Sequence, residues 1–217
     1  TTDIITKIAE KYGVELIEVL TGFKFIGEQI GILEKQGEED RFIFGYEESY
    51  GYLAGSYVRD KDAVNASMLI CEMAAFYRTK GISLIQAREN MYKTYGVYYH
   101  TQQSFTFEGK AGMEKMNSIM ENLRKNYVAE IGGLKVILFE DYLEGISKNV
   151  ETGEITEIKL PKSNVLVFGL TDGAKVIIRP SGTEPKIKAY YTAIGETQSD
   201  AQALEKKLAE SFSKLIN

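Results

Sequence analysis

The residue types best suited to chemistry are concentrated in one short segment of this 217-residue chain, Arg179-Pro180-Ser181-Gly182-Thr183-Glu184-Pro185. A phosphate group is bound by several donors that converge on one point. Arg179 offers a bidentate guanidinium, Ser181 and Thr183 offer hydroxyls, and the backbone around Gly182 can turn its N–H groups inward. The alternative is an ordinary Pro-Ser-Gly turn surrounded by solvated lysines.

The charge around this segment favours an anion site. Residues 175–188 carry four cations and one acid, a local charge of +3 on a chain whose net charge is −5; the cations are Lys175, Arg179, Lys186 and Lys188, and the acid is Glu184. The donor arrangement is not a nucleotide P-loop, because the pattern Gly-x-x-x-x-Gly-Lys is absent.

A second candidate segment, residues 44–52, follows a predicted strand and combines carboxylates, a hydroxyl and tyrosines. Glu47 and Ser49 could hydrogen-bond the vicinal hydroxyls of a sugar, and the tyrosine rings could pack on its apolar faces. A plain surface turn is the alternative. A glycosidase pair is disfavoured, since adjacent carboxylates on an extended chain point in opposite directions.

Two shorter segments, residues 59–62 and 21–27, complete the candidates. Asp62 lies where the N-cap of a long helix is expected, and Lys61 could point into a cleft as a cation or proton donor. Asp60 and Asp62 beside two cations resemble paired charges more than metal ligands. Thr21 and Gly22 belong to a strand-to-helix turn whose backbone N–H groups could meet an anionic or hydroxylated ligand.

Composition excludes several other functions. With one cysteine, Cys71, and one histidine, His100, the chain has no internal disulfide, no thiolate or histidine-rich zinc site, and little basis for a catalytic triad. The net charge of −5 disfavours general nucleic-acid binding. No apolar run approaches the roughly 20 residues that span a bilayer. The absence of an initial Met suggests a piece of a longer cytoplasmic chain.

Helices alternate with short apolar runs over the first half, which predicts an α/β domain with a mixed sheet and flanking helices. Helices are expected at 3–12, 27–35 and 62–80, with another from Ser83, capped with Gln86, to near Gly96. Strands are expected at 14–20 and 41–44.

From about residue 98 the pattern changes to that of an α+β domain with an antiparallel sheet. Strands are predicted at 98–107, 134–143, 165–170, 175–179 and 186–192, and helices at 113–125 and after a Ser199 cap. Asp172-Gly173 is typical of a hairpin turn. The domain boundary is expected near residues 96–100, giving domains 1–97 and 98–217.

Taken together and in this order, the four segments resemble the phosphohexomutase family, and within it the phosphoglucomutases. The resemblance covers essentially the whole chain and implies the third and fourth domains of a four-domain enzyme, the fourth related in fold to the TATA-binding protein. It leaves open whether the first strand of the third domain is present.

The resemblance also implies roles for individual residues. Thr21, Gly22, Glu47, Ser49 and Lys61 match substrate-binding positions, and Lys61 is the one possible catalytic group. The phosphate-binding positions are matched by a second set: Arg179, Ser181, Gly182, Thr183 and Lys188. In the mannose-type enzymes the segment that corresponds to residues 44–52 tends to end in Met-Ser-Gly-His. This chain differs from that motif at Tyr50-Gly51.

The phosphorylated serine and the Mg²⁺-binding Asp-x-Asp-x-Asp-Arg loop of the family are absent from this chain. The resemblance therefore implies that Mg²⁺, glucose 1,6-bisphosphate as intermediate and the N-terminal domains I and II belong to a full-length parent, and that this part is inactive alone. Mannose or pentose phosphates as substrates, a stand-alone phosphosugar-binding module and a protein-interaction domain remain open alternatives.

Overall fold

The computed structural model describes residues 2–47, 50–107, 109–126, 128–181 and 184–216. The chain divides between residues 94 and 95 into two compact units. We call residues 3–94 unit 1 and the residues from 95 onward unit 2.

Unit 1 is mainly helical, with one β-hairpin. Its elements are α1 (Ile4–Tyr12), α2 (Phe23–Gln36), a 3-10 turn at Glu39–Arg41, β1 (Phe44–Glu47), β2 (Gly51–Ala54), α3 (Ala63–Thr79) and α4 (Leu84–Tyr95). β1 and β2 pair antiparallel, with Tyr46 opposite Tyr52. The core is small: Phe23, Ile30 and Leu53 are buried together.

The strands expected at 14–20 and 41–44 do not form. Residues 14–20 have no regular secondary structure, and the chain at 39–41 is a 3-10 turn, so that the strand begins only at Phe44. A strand needs a neighbour to accept its backbone hydrogen bonds. Among the described residues of unit 1, β1 and β2 form the only sheet, and Val14, Leu16 and Ile17 remain exposed.

Local helix signals are confirmed where the sequence placed them. Gly13 ends α1 in the left-handed conformation, as helix C-termini favour. Asp62 accepts hydrogen bonds from the backbone N–H groups of Val64 and Asn65 and so caps α3. Ser83 and Gln86 form the reciprocal capping box at the start of α4. Helix α2 is longer than predicted and begins at Phe23.

Unit 2 is the expected α+β structure. Its elements are β3 (Val97–Thr106), α5 (Gly109–Lys125), β4 (Glu130–Ile131), β5 (Leu134–Asp141), β6 (Ile146–Asn149), β7 (Ile155–Glu157), β8 (Leu166–Leu170), β9 (Lys175–Pro180), β10 (Lys186–Gly195) and α6 (Gln198–Ile216). The strands run β3-β10-β9-β8-β5-β6-β7, with β4 paired to β5, and every pairing is antiparallel.

One face of this sheet is covered by helices, and the other carries the charged residues. Along β10, alternate residues Ile187, Ala189, Tyr191 and Ala193 are buried in a core that includes side chains of α5 and α6. The residues between them, Lys186, Lys188, Tyr190 and Thr192, are only partly buried. Because side chains of a strand alternate between faces, these four share the opposite face.

Two turn signals of unit 2 had different outcomes. Asp172 and Gly173 both have positive φ between β8 and β9, so the predicted turn is confirmed. The cap predicted at Ser199 is wrong. Thr197 takes that role, since its backbone N–H donates to the Asp200 carboxylate and its hydroxyl accepts from the Asp200 N–H. An acid three residues after Thr197 makes the capping box there.

Candidate functional site

Lys61 is the centre of the candidate site in unit 1. Its Nζ lies 3.1 Å from a carboxylate oxygen of Asp60 and 4.0 Å from Oε1 of Glu47. The same ammonium lies 5.4 Å from the ring centroid of Phe23. Three segments far apart in sequence therefore meet at one ammonium group: the start of α2, the end of β1 and the loop before α3.

At two glycines of this site, neighbouring segments lie so close that a side chain would not fit between them. A Cβ on Gly51 would lie 2.8 Å from Glu47 and 3.1 Å from the Lys61 side chain, and one on Gly27 would lie 2.3 Å from the Arg59 carbonyl oxygen. The 59–62 loop therefore lies directly against α2. Arg59 strengthens this contact by pairing with Glu34 of α2 at 2.8 Å.

The predicted turn residues Thr21 and Gly22 lie directly before Phe23. Gly22 has φ +126°, a conformation that favours glycine, and its carbonyl accepts from the Phe25 N–H at 3.0 Å. Gly22 thus lies at the start of α2, immediately before Phe23, whose ring is close to the Lys61 ammonium. Thr21 is exposed. Ser49, the remaining predicted contact in unit 1, lies outside the described residues.

Neighbouring donors shift the pKa values of the two aspartates in this loop. The Lys61 N–H and ammonium bond Asp60 and lower the pKa of its carboxyl. The Tyr57 hydroxyl and the N–H groups at the start of α3 lower the pKa of Asp62. Asp60 therefore pairs with Lys61, as expected for paired charges. Asp62 instead accepts from the Tyr57 hydroxyl and from backbone N–H groups of α3. Within the described ranges, no three His, Cys, Asp or Glu side chains cluster closely enough to hold a metal ion.

Arg179 and Lys188 form the candidate site in unit 2. They are directly opposite each other on β9 and β10, on the sheet face away from the helices. Like charges in cross-strand register repel each other. In the part of the chain that the structure describes, neither side chain has a carboxylate within 4.0 Å. Such a pair is unfavourable by itself and suits a bound anion.

The loop beside this pair is closed by backbone hydrogen bonds. The Ser181 N–H donates to the Lys186 carbonyl at 2.7 Å, and the Phe107 N–H donates to the Pro185 carbonyl at 2.8 Å. Lys186 pairs with Glu184 at 3.0 Å, so part of the local positive charge is neutralised within the loop. Gly182 and Thr183 lie outside the described residues, and Ser181 is the described hydroxyl of this segment.

Phe23, Gly27 and Gly51 lie within the candidate segments, but the sequence predicted no role in the site for any of them. The Phe23 ring is part of the core of unit 1 and also lies beside the Lys61 ammonium. The role of each glycine depends on a segment distant in sequence, which no local pattern reveals. The signal that was available is the density of glycine in Thr21–Gly27 and Gly45–Gly51.

Comparison with known proteins now identifies the family. Residues 1–95 match the model for phosphoglucomutase/phosphomannomutase alpha/beta/alpha domain III, and residues 116–211 match that for the phosphoglucomutase/phosphomannomutase C-terminal domain. The chain belongs to the phosphoglucomutase/phosphomannomutase family. The alpha/beta/alpha description of domain III agrees with the α/β class expected for the first half. The antiparallel sheet and helices of unit 2 agree with the α+β class expected for the second half.

The chain is similar to curated phosphoglucomutases from bacteria. The chain is 42% identical over 185 residues to one from Staphylococcus epidermidis, covering 85% of this chain and 33% of that protein. It is 43% identical over 189 residues to one from Staphylococcus aureus, covering 87% of this chain and 34% of that protein. The chain therefore spans about a third of the length of these relatives.

A solved structure supports the family fold. The Paramecium phosphoglucomutase pp63/parafusin, in its open form, matches 98% of this chain and 35% of its own with a TM-score of 0.64 at 21% identity. Within the described residues, no helix has the length and apolar character needed to cross a membrane.

Proposed function

We propose that this chain is the substrate-binding part of a phosphoglucomutase that interconverts glucose 1-phosphate and glucose 6-phosphate. Unit 2 binds the phosphate that is not reacting, through Arg179, Lys188 and the loop at Ser181, Gly182 and Thr183. Unit 1 recognises the sugar through its own candidate residues: Thr21, Gly22, Glu47, Ser49 and Lys61. The observation that carries this proposal is the cross-strand pair of Arg179 and Lys188.

The chemistry of these groups fits a sugar phosphate. A guanidinium and an ammonium on one sheet face can share a dianionic ester, and charge-assisted hydrogen bonds of this kind are stronger than neutral ones. Glu47 is a carboxylate whose side chain is only 14% exposed, so it can accept hydrogen bonds from hydroxyls with limited competition from water. Buried acceptors of this kind select ligands that donate to them.

Lys61 is proposed to lie near the reacting end of the substrate. Asp60 and Glu47 lie beside its Nζ. It can stabilise negative charge that develops on a sugar oxygen, or donate a proton to that oxygen.

The catalytic serine and the metal site are assigned to other parts of the whole enzyme. We propose that domains I and II supply the phosphorylated serine and the ligands of Mg²⁺, and that glucose 1,6-bisphosphate is the intermediate. When bound there, Mg²⁺ would neutralise charge on the transferring phosphoryl group. Cys71 is a free, exposed thiol, which suits a reducing compartment such as the cytoplasm.

Calorimetric titration with inorganic phosphate and with glucose 1-phosphate tests the proposal. Arg179→Ala and Lys188→Ala are each expected to weaken binding of both ligands by about 1.5–3 kcal/mol, which is roughly 10- to 150-fold. Lys206→Ala, on exposed α6, is the matched control and should change neither. Equal binding by the wild type and Arg179→Ala would refute the phosphate assignment.

A mutase assay tests the proposal that the catalytic serine lies outside this chain. The 217-residue chain alone should show no conversion of glucose 1-phosphate to glucose 6-phosphate, because it has no serine loop of the family type. Measurable turnover would contradict the claim that the nucleophile lies elsewhere.

A further inference from the structure

The sheet of unit 2 ends in two edge strands that differ in length and in charge. At one edge, β7 has 3 residues, follows Glu154 and ends in Glu157. At the other edge, β3 has 10 residues. Proteins protect the edges of their sheets with short strands, charges, prolines or bulges, because an open edge can pair with another chain. β7 follows this rule, and β3 does not.

The sequence of β3 contains none of these protections. Residues 94–107 include no Lys, Arg, Asp or Glu, and no other stretch of the chain without a charged residue is as long. The strand has no proline, and its pairing with β10 runs from Val97 to Thr106 without a bulge. This strand belongs to a chain in which 26% of the residues are charged and the net charge is −5. Two copies of β3 can therefore approach each other without repulsion between charged side chains of the strand.

The outer edge of β3 is open along residues 101–106. Every second residue of an antiparallel edge strand directs its N–H and C=O groups away from the neighbouring strand. In the part of the chain that the structure describes, β10 is the one segment whose backbone hydrogen-bonds residues 101–106. Gln102, Ser104 and Thr106 are exposed, whereas Val97 and Tyr98 at the start of the strand are buried. The outward backbone groups of residues 101–106 are thus accessible to another strand.

We propose that β3 is an interface at which two copies of this chain pair edge to edge, antiparallel, and join their sheets into one. The proposal does not depend on the proposed function. A two-fold axis perpendicular to the sheet relates the two strands, as is usual for a homodimer. Residues directly opposite each other must project from the same face, so the axis passes through a residue. An axis at Gln103 pairs residues 101–105 of the two copies.

The side chains of β3 suit an identical partner. In this register Gln102 of one copy lies opposite Ser104 of the other, on the sheet face away from the helices. An amide and a hydroxyl each donate and accept hydrogen bonds, so two identical strands complement each other. A charged peptide would find no opposite charge on this edge. Because the contact is short, we expect a weak dimer with a Kd of about 0.01–1 mM.

Sedimentation equilibrium of the 217-residue chain from about 0.01 to 1 mM tests the proposal. In Gln102→Lys, and equally in Gln102→Glu, two like charges become diagonal neighbours across the axis, within reach of long side chains. Each variant should therefore dimerise about two- to fivefold more weakly than the wild type. An equimolar mixture of the two should form a heterodimer at least as tight as the wild-type dimer, because the charges are then opposite. Thr156→Lys on the exposed edge strand β7 is the matched control and should have no effect.

Amide hydrogen exchange of the wild type locates the contact without a substitution. Raising the concentration over the same range should slow exchange of the outward amides within residues 101–106, since pairing gives them acceptors. The amides of β7 should exchange at the same rate throughout.

Three results would overturn the proposal. The first is a chain that stays monomeric at the highest concentration. The second is a dimer of equal strength in the wild type and Gln102→Lys, because another surface then forms it. The third is equal protection of the outward amides at every concentration, because a segment of the same chain then covers β3. None of these results bears on the phosphate assignment, which Arg179→Ala tests separately.

Discussion

Units 1 and 2 are built from similar local signals but differ in how much apolar surface they bury. Unit 2 has one continuous core in which α5 and α6 pack on the buried sheet face. In unit 1 the buried cluster consists of Phe23, Ile30 and Leu53, and α3 has no buried residue although it carries many apolar side chains. Val64, for example, is 81% exposed.

This difference shows that the residues that define the ends of a helix are not the interactions that stabilise it. Caps and turn residues define where the helices of unit 1 begin and end, but tertiary burial supplies most of the stability of a helix in a protein. The proposed phosphate site therefore lies on a sheet with a full core. The proposed sugar site depends on close contacts between loops and α2, such as that of Gly27 with Arg59.

The largest expected effect compares one residue type in the two units. Met120→Ala in α5, where the side chain is 2% exposed, should lower the free energy of unfolding by about 2–5 kcal/mol. Met68→Ala in α3, where the side chain is 53% exposed, should change it by less than about 0.5 kcal/mol. Urea unfolding measures both. Equal losses would mean that α3 is buried in solution.

An intermediate effect is expected from the two glycines of α2. Gly27→Ala places a methyl group against the Arg59 carbonyl and should destabilise unit 1 by about 1–3 kcal/mol through overpacking. It should also displace Lys61 and weaken glucose 1-phosphate binding. The control is Gly31→Ala on the same helix, where a Cβ meets nothing within 4 Å; it should stabilise the helix by up to about 1 kcal/mol. A neutral Gly27→Ala would show that the 59–62 loop does not rest on α2.

The smallest expected effect is a pH dependence of unit 1. The Tyr57 hydroxyl and the start of α3 lower the pKa of Asp62 below its ordinary value of 3.8. Since the folded-state pKa is the lower one, Asp62 stabilises unit 1 above about pH 4, and this stability is lost as the pH falls through the lowered pKa. Acid titration of the Val64 amide by NMR should follow this carboxyl. In Asp62→Asn that titration should disappear, and its persistence would assign it to another group.

The sequence correctly predicted helix caps and turns that depend on only a few neighbouring residues. The Ser83–Gln86 capping box and the Asp172-Gly173 turn are confirmed because both are local. The prediction of a strand at 14–20 is wrong, because the alternation of apolar and polar residues does not by itself provide a neighbouring strand for backbone hydrogen bonds. The cap of α6 is Thr197 instead of Ser199, because the capping partner Asp200 lies three residues after Thr197.

For the candidate sites, residue type was more predictable than arrangement. The motif that contains Arg179 is visible in the sequence, but its register opposite Lys188 is a property of the folded sheet. The same holds for Lys61, whose neighbours Glu47 and Phe23 come from distant segments. The substrate-binding roles of these residues remain predictions.

The central claim is that Arg179 and Lys188 bind the phosphate of a hexose phosphate. A crystal structure of the chain grown with glucose 1-phosphate tests it most directly. The account predicts the phosphate within hydrogen-bonding distance of both the Arg179 guanidinium and the Lys188 ammonium. A phosphate bound elsewhere, with the Arg179 guanidinium paired to a carboxylate of the chain, would contradict it.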